Sequence, residues 1–259
     1  MTEDAGNGLP GLHRVQIWLN DPGNWSGSEG MLARLGEHIE YTAVIIALAV
    51  LVAVPLGTAI GSTGRGTVAA AAAANALRAV PTLGLLVLLI VVVSPRVSIG
   101  AGIPGIIPSG GIPYFLPALL VLLILAVPPI LTSTYAGIQA IDPAVRDAAR
   151  GSGMTALHAA IRIELPCAIP VVMSGIRSAT LQVIANLTVA AYAPLVGGLG
   201  RFIVDGDQNL SDPRFGYPAM IAAGLGIAAL VVATDGALKA LQRQISSPGI
   251  RIRPSKRPS

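Results

Sequence analysis

Long apolar runs separated by short polar stretches dominate the chain. They cover about Tyr41–Ser62, about Thr67–Val93, Tyr114–Ile138, about Cys167–Pro194 and about Tyr217–Leu241. A helix rising 1.5 Å per residue needs about 20 apolar residues to cross a hydrocarbon core about 30 Å thick, and each run reaches that length. Strands of a membrane barrel would alternate apolar and polar positions, whereas these runs are continuous. The pattern predicts an all-α polytopic membrane protein with about five transmembrane helices, six being possible. Pro and Gly within the runs are compatible with this, because neighbouring helices and water-lined cavities re-satisfy freed backbone groups.

The second run is too long for one straight crossing, since 27 residues would span about 40 Å. Either Thr67–Ala79 kinks at Val80-Pro81 into Thr82–Val93, or the halves are separate short elements. The kink is favoured, because Arg78 just before it would be costly at the bilayer centre.

Composition agrees with a membrane chain. Hydrophobic residues make up 53% and charged residues 12%, about half the roughly 25% of a soluble domain. Before the first run, Glu3, Asp4, Asp21, Glu29, Glu37 and Glu40 face only Arg14 and Arg34. From the end of the fifth run onward, Lys239, Arg243, Arg251, Arg253, Lys256 and Arg257 face no acid. Basic flanks stay in the cytoplasm, so the C-terminus is expected inside and, with five crossings, the N-terminus outside. That arrangement gives an extracytoplasmic segment at 1–40, a transmembrane domain at 41–241 and a basic, disordered cytoplasmic tail at 242–259. The tail is expected to be drawn to anionic headgroups of the lipid bilayer, and no nucleic acid partner is expected. The first 30 residues lack a signal peptide's apolar core and cleavage site.

The loop at 139–166 then faces the cytoplasm, and the Gly/Pro-rich loop at 94–112 faces outside. Asp142-Pro143 supplies an N-cap and a first-turn proline, and Asp147 lies in the early turns, where an acid complements the helix dipole. Gly151 and Gly153 allow a turn, Thr155 caps a second helix, and Leu165-Pro166 closes it before the fourth span. These signals predict a helix-turn-helix handle parallel to the membrane. Ala144, Ala148 and Ala149 on its first helix offer a small-residue surface for another protein's groove.

Asp147-Ala148-Ala149, three residues, Gly153, nine residues, Ile163, one residue and Leu165-Pro166 resembles the E-A-A-x3-G-x9-I-x-L-P signature of permease subunits in binding-protein-dependent ABC importers. Spacing and identity agree except that Asp147 replaces Glu, keeping the charge but losing reach. The resemblance extends over roughly 31–243 through RLGEHIEYTAVIIALAVLVAVPLGTAIG, ANALRAVPTLGLLVLL and GIQAIDPAVRDAARGSGMTALHAAIRIELPCAIPVVMSGIRSAT. It is similar to the branch importing glycine betaine, carnitine, choline and proline betaine. The resemblance implies a methionine-importer-like permease fold whose loop is a coupling helix seated on a separate ABC ATPase subunit. It also implies a second permease, identical or paralogous, and an extracytoplasmic solute-binding protein. Gly197-Gly198-Leu199-Gly200 resembles the family's G-A-G-G-L-G gating turn, with Leu195 and Val196 in place of the first Gly and Ala; the alternative is a plain tight turn.

No other chemistry competes strongly. Lys239 and Lys256, the only lysines, do not end a G-x-x-x-x-G-K-[ST] loop, and Gly61-Ser62-Thr63-Gly64-Arg65-Gly66-Thr67 reads as a turn. No cofactor is expected on this chain, and ATP and magnesium are assigned to the partner ATPase. His13, His38 and His158 are scattered, with His158 read as a polar face of the handle. Cys167, the single cysteine, is read as an apolar filler. Within the spans, Arg177 and Asp235 either line a path or form an ion pair. Gln182 and Asn186 either extend Arg177's polar face or hydrogen-bond between helices.

Aromatics are only 4%, and Trp18 and Trp25 precede the first run. An aromatic cage for a quaternary ammonium is therefore not expected within the membrane, and the tryptophans are read as outer-interface anchors. A gradient-driven secondary transporter is disfavoured by the lack of an inverted repeat and of a chain of membrane acids. An ABC permease for another small solute, such as an amino acid, is the other alternative.

Overall fold

A computed structural model describes residues 10–97 and 111–245. Most of the Gly/Pro-rich loop, the tail from residue 246 and the side chains of residues 10, 11 and 78 lie outside that description. Ten α-helices run along the described residues: α1 (Pro10–Asn20), α2 (Met31–Thr63), α3 (Thr67–Ala79), α4 (Thr82–Val93), α5 (Ile112–Gln139), α6 (Pro143–Gly151), α7 (Ala156–Ala159), α8 (Leu165–Ala190), α9 (Gly200–Gln208) and α10 (Gly216–Ile245). Among the described residues, four helices are long and apolar enough to cross a membrane: α2, α5, the continuous Ala156–Ala190 helix and α10. The bent α3–α4 pair brings the count to five.

Close contacts fix the directions. A Cβ on Gly61 would lie 2.8 Å from Ile138 Cβ and one on Gly57 2.6 Å from Thr134 Cβ, so α2 and α5 run parallel. On α8, Gly175 meets Ser133 while Ala168 meets Gly137, so α8 runs antiparallel to α5. Arg177 faces Asp235 and Gln242 donates to the Pro170 carbonyl at 2.7 Å, so α10 reverses again. Because α2 and α5 run parallel, the chain between them must return to the other end, and α3–α4 lies on that return.

The break between α3 and α4 falls at Val80-Pro81, with Val80 extended (φ −74°, ψ 126°), as a residue preceding proline prefers. Its angle is 90°, so the halves are separate short helices rather than one kinked rod. The core follows α5. Tyr41, Ile45, Leu86, Leu122, Ile130 and Val183 are buried there, and the rings of Tyr41 and Phe115 meet edge-on at 5.0 Å.

Three further expectations about helix bounds and packing change. α2 begins at Met31, ahead of the apolar run, so Glu37, His38 and Glu40 belong to its first turns. Leu165-Pro166 does not close the second handle helix, because a π-helical turn at Ala160–Glu164 carries the chain into α8. That wider turn relieves the clash of the Pro166 ring with the carbonyl four residues back. Trp18 is no interface anchor: it is 3% exposed and packs edge-on against Phe202 at 5.7 Å, holding α1 on α9 and α10.

Candidate functional site

The residues of interest gather at the two ends of α8, whose 26 residues separate them by about 39 Å. At its start lies α6. Asp142 accepts from the Ala144 amide at 2.9 Å and opens the helix. Gly153 closes it at φ +79°, its amide bonding the Arg150 carbonyl at 2.9 Å and the Met154 amide the Ala149 carbonyl at 3.2 Å. This is the left-handed glycine termination that satisfies a helix's last carbonyls. Thr155 Oγ1 then accepts from the His158 amide at 3.3 Å and starts α7, as the sequence predicts.

Asp147, Ala148, Arg150 and Gly153 are exposed, together with the apolar side chains Val145, Met154 and Leu157. Ala149 is buried at 6% exposure, so it faces the chain's own packing rather than a partner's groove. Ile163 and Leu165 are half-buried, and Pro166 and Cys167 are exposed, so Cys167 fills no core space. His158 is exposed, as its polar-face reading requires.

Residue patterns alone missed the contacts beneath α6. Arg146 shares the inward face with Ala149, three residues on, and its Nε lies 3.1 Å from Glu164 Oε1. Its Nη2 donates to the Ile138 carbonyl in the last turn of α5. The other Glu164 oxygen accepts from Ser62 Oγ of α2 at 2.5 Å. The Glu164 side chain is 8% exposed and that of Arg146 22%. The i, i+3 spacing put Arg146 on the same face as Ala149, but nothing in the sequence marked that face as the buried one.

At the far end of α8, the 197–200 turn docks on the start of α2. Glu37 Oε2 accepts from the Gly198 amide at 2.8 Å and from Arg34 Nη1 at 2.9 Å. His38, fully buried, accepts the Leu199 amide at Nδ1 (3.2 Å), while Nε2 lies 3.1 Å from the Ile184 carbonyl. One nitrogen accepting and the other donating defines a neutral imidazole with its proton on Nε2. A Cβ on Gly197 would collide with the Glu37 carboxylate, and Gly198 sits at φ +86°. Gly200 comes so close to α8 that a Cβ would lie 2.6 Å from Thr188 Cα. Leu195, where the resembled turn has glycine, is held at φ +64° on the wall of a charged cleft of about 590 Å³ that also includes Glu29, Arg34 and Arg201.

The mid-span polar residues do not form one stripe. Arg177 pairs with Asp235, which also takes Lys239 at 2.5 Å, in a bridge from α8 to α10. Asn186, half a turn round the helix, accepts from Thr82 Oγ1 of α4 at 3.1 Å. Gln182 contributes its backbone carbonyl to Asn186 Nδ2 at 2.9 Å. These contacts match the ion-pair alternative for Arg177 and Asp235 and the interhelical one for Asn186, whereas the Gln182 contact lies within α8. Among the described residues, no three His, Cys, Asp or Glu side chains group as metal ligands.

Comparison with known proteins extends the reading to nearly the whole chain. The osmoprotectant import permease protein OsmW of Salmonella typhimurium is 33% identical, over 86% of this chain and 95% of its own. The glycine betaine/carnitine/choline transport system permease protein OpuCB of Bacillus subtilis is 29% identical, over 85% and 91%. In fold, the chain resembles an inward-facing MetNI methionine ABC transporter, with a TM-score of 0.65 at 20% identity over 84% of this chain and 96% of that one. The model of the binding-protein-dependent transport system inner membrane components matches residues 45–247, and this chain belongs to that family.

Proposed function

We propose that this chain is the transmembrane permease of an ATP-driven importer of a compatible solute such as glycine betaine, carnitine, choline or proline betaine. The relatives named for osmoprotectant, carnitine and choline transport support the solute class. The observation that carries the mechanism is α6: a nine-residue helix closed at both ends, with Asp147 and Ala148 exposed on one face and Arg146 and Ala149 turned inward. It is built to receive a partner on one side and to pass its movement to the spans on the other.

In this reading, α6 and the C-terminus face the cytoplasm, the 197–200 turn faces outside, and a separate subunit binds ATP and magnesium. Asp147, Ala148 and Gly153 meet that subunit or hold the surface it meets. Ala149, Ile163, Leu165 and Pro166 shape the support behind it. Closure of two ATPase subunits would move α6 in each of two permeases and alternate access between the two sides. Gly197, Gly198 and Gly200 form the outer turn that rearranges, and an extracytoplasmic binding protein delivers the solute and provides most of its selectivity. Arg177–Asp235 and Asn186 hold α8 against α10 and α4.

The test is uptake of radiolabelled glycine betaine, carnitine, choline and proline betaine into proteoliposomes holding the full assembly. The reading expects uptake of at least one, dependent on ATP and on the binding protein, and lost when Gly153→Val deforms the end of α6. Uptake that persists without ATP would contradict it, and ATP-dependent uptake of an amino acid alone would overturn the solute class.

A further inference from the structure

We propose that Arg146 and Glu164 form a transmission joint, through which any displacement of α6 is passed at once to α2, α5 and α8. The proposal rests on the reading of α6 as the surface driven by the ATPase. It adds two positioning residues that act behind that surface without touching the partner.

Four elements meet at this pair. Arg146 is the charged residue that α6 turns inward, and its guanidinium reaches both Glu164 and the carbonyl of Ile138. That carbonyl lies in the last turn of α5, where the helix dipole leaves partial negative charge that favours a cation, and it also accepts from the Ile141 amide at 3.2 Å. Glu164 lies in the π turn feeding α8, and its second oxygen holds Ser62 in the last turn of α2 at 2.5 Å. Such turns recur at functional sites, and here the distortion places a carboxylate between three helix ends.

The surroundings make the linkage stiff. Glu164 is nearly removed from solvent, so losing its cation would leave a buried charge without compensation. The contact is an ion pair at 3.1 Å rather than a directed hydrogen bond at Nε, and the low exposure of Glu164 keeps water from replacing the cation. The outward Asp147–Arg150 pair differs: its charges are 4.0 Å apart and its side chains more than two-thirds exposed, so it transmits no force to the spans. Without the inward joint, α6 would keep its backbone links to α5 and α7 and the packing of Ala149 but lose its charged tie to the π turn, and could follow the ATPase while the spans lag.

The experiment measures ATP hydrolysis and solute uptake in the same proteoliposomes, with the complete assembly and a mixture of the four labelled osmoprotectants. Four chains are compared: intact, Glu164→Gln, Ser62→Ala and Arg146→Lys. Glu164→Gln keeps the side-chain shape but removes the charge that holds Arg146. It is expected to keep hydrolysing ATP while solute moved per ATP falls roughly five- to tenfold, the scale of a coupling change. Ser62→Ala cuts only the link to α2 and is expected to lower the same ratio by about twofold. Arg146→Lys, which keeps a cation opposite Glu164, is expected to lower the ratio less than Glu164→Gln does. If Glu164→Gln does not assemble, the ratio for Ser62→Ala decides. A ratio unchanged from the intact chain, with uptake and hydrolysis falling together, would assign the pair to folding and overturn the joint. An intact chain that hydrolyses ATP but takes up none of the four solutes counts against the solute class alone; the ratio is then read with labelled amino acids.

Discussion

The two ends of α8 are both tied to α2, but by different chemistry. At the α6 end a carboxylate on the π turn holds a hydroxyl of α2 and a guanidinium of α6, so side chain grips side chain. At the 197–200 end, Glu37 and His38 of α2 hold backbone amides of the turn, so side chain grips main chain. The first arrangement depends on which residues are present. The second depends on how closely the turn's backbone can approach, which makes the absence of side chains there the critical feature.

Substitutions can sharpen this contrast, and the largest effect is expected at His38. His38→Ala strips two buried backbone groups of their partner and opens a void, and should cost about 3 kcal/mol in thermal unfolding of the detergent-solubilised protein. A cost below about 1 kcal/mol would mean that the turn is held elsewhere.

Next comes a pair of glycine-to-alanine changes, one at each end. Gly197→Ala drives a Cβ into the Glu37 carboxylate and should cost about 1–3 kcal/mol. Gly151→Ala, in the last turn of α6 with nothing within 4 Å of the added Cβ, should be neutral or stabilise by up to about 1 kcal/mol. Equal costs in the same unfolding assay would erase the distinction between the two ends.

A smaller effect is expected at Gly153, whose φ of +79° suits glycine and tolerates Asn. Gly153→Val should cost about 1–2 kcal/mol and Gly153→Asn only a few tenths, with limited proteolysis of the α6 loop reporting the difference. The smallest change runs the other way. Leu195 is a left-handed, half-exposed non-glycine residue, so Leu195→Gly should relieve strain and raise the unfolding free energy by about 1 kcal/mol. A loss on making that change would show the leucine side chain to be a needed part of the cleft.

Local signals in the sequence read well, while those requiring distant partners did not. The apolar runs located the spans, and the caps at Asp142, Gly153 and Thr155 and the break at Val80-Pro81 all act within a few residues of themselves. The extension of α2 to Met31 was hidden because Glu37 and Glu40 read as extramembrane charge; packing of its start against the 197–200 turn and, through Met31, against Trp18 and α10 explains the helix there. Pro166 read as a terminator because the compensating π turn has no residue signature. Arg146 with Glu164, Arg177 with Asp235 and His38 with Leu199 meet across 18, 58 and 161 residues. Helical periodicity orders residues around one axis and says nothing of which axis lies alongside. For the same reason Ala149, matched by its motif position, proved to face inward.

Whether the outward face of α6 seats on an ATPase subunit can be decided by directional cross-linking. Single cysteines placed at Ala148, Ala149 and Leu195 in a Cys167→Ser chain would be treated with a short bifunctional reagent in the assembled complex. Cross-linking to the ATPase from Ala148→Cys, but from neither Ala149→Cys nor Leu195→Cys, is the predicted result. Cross-linking from Leu195→Cys, or none from Ala148→Cys in a complex that hydrolyses ATP, would contradict it.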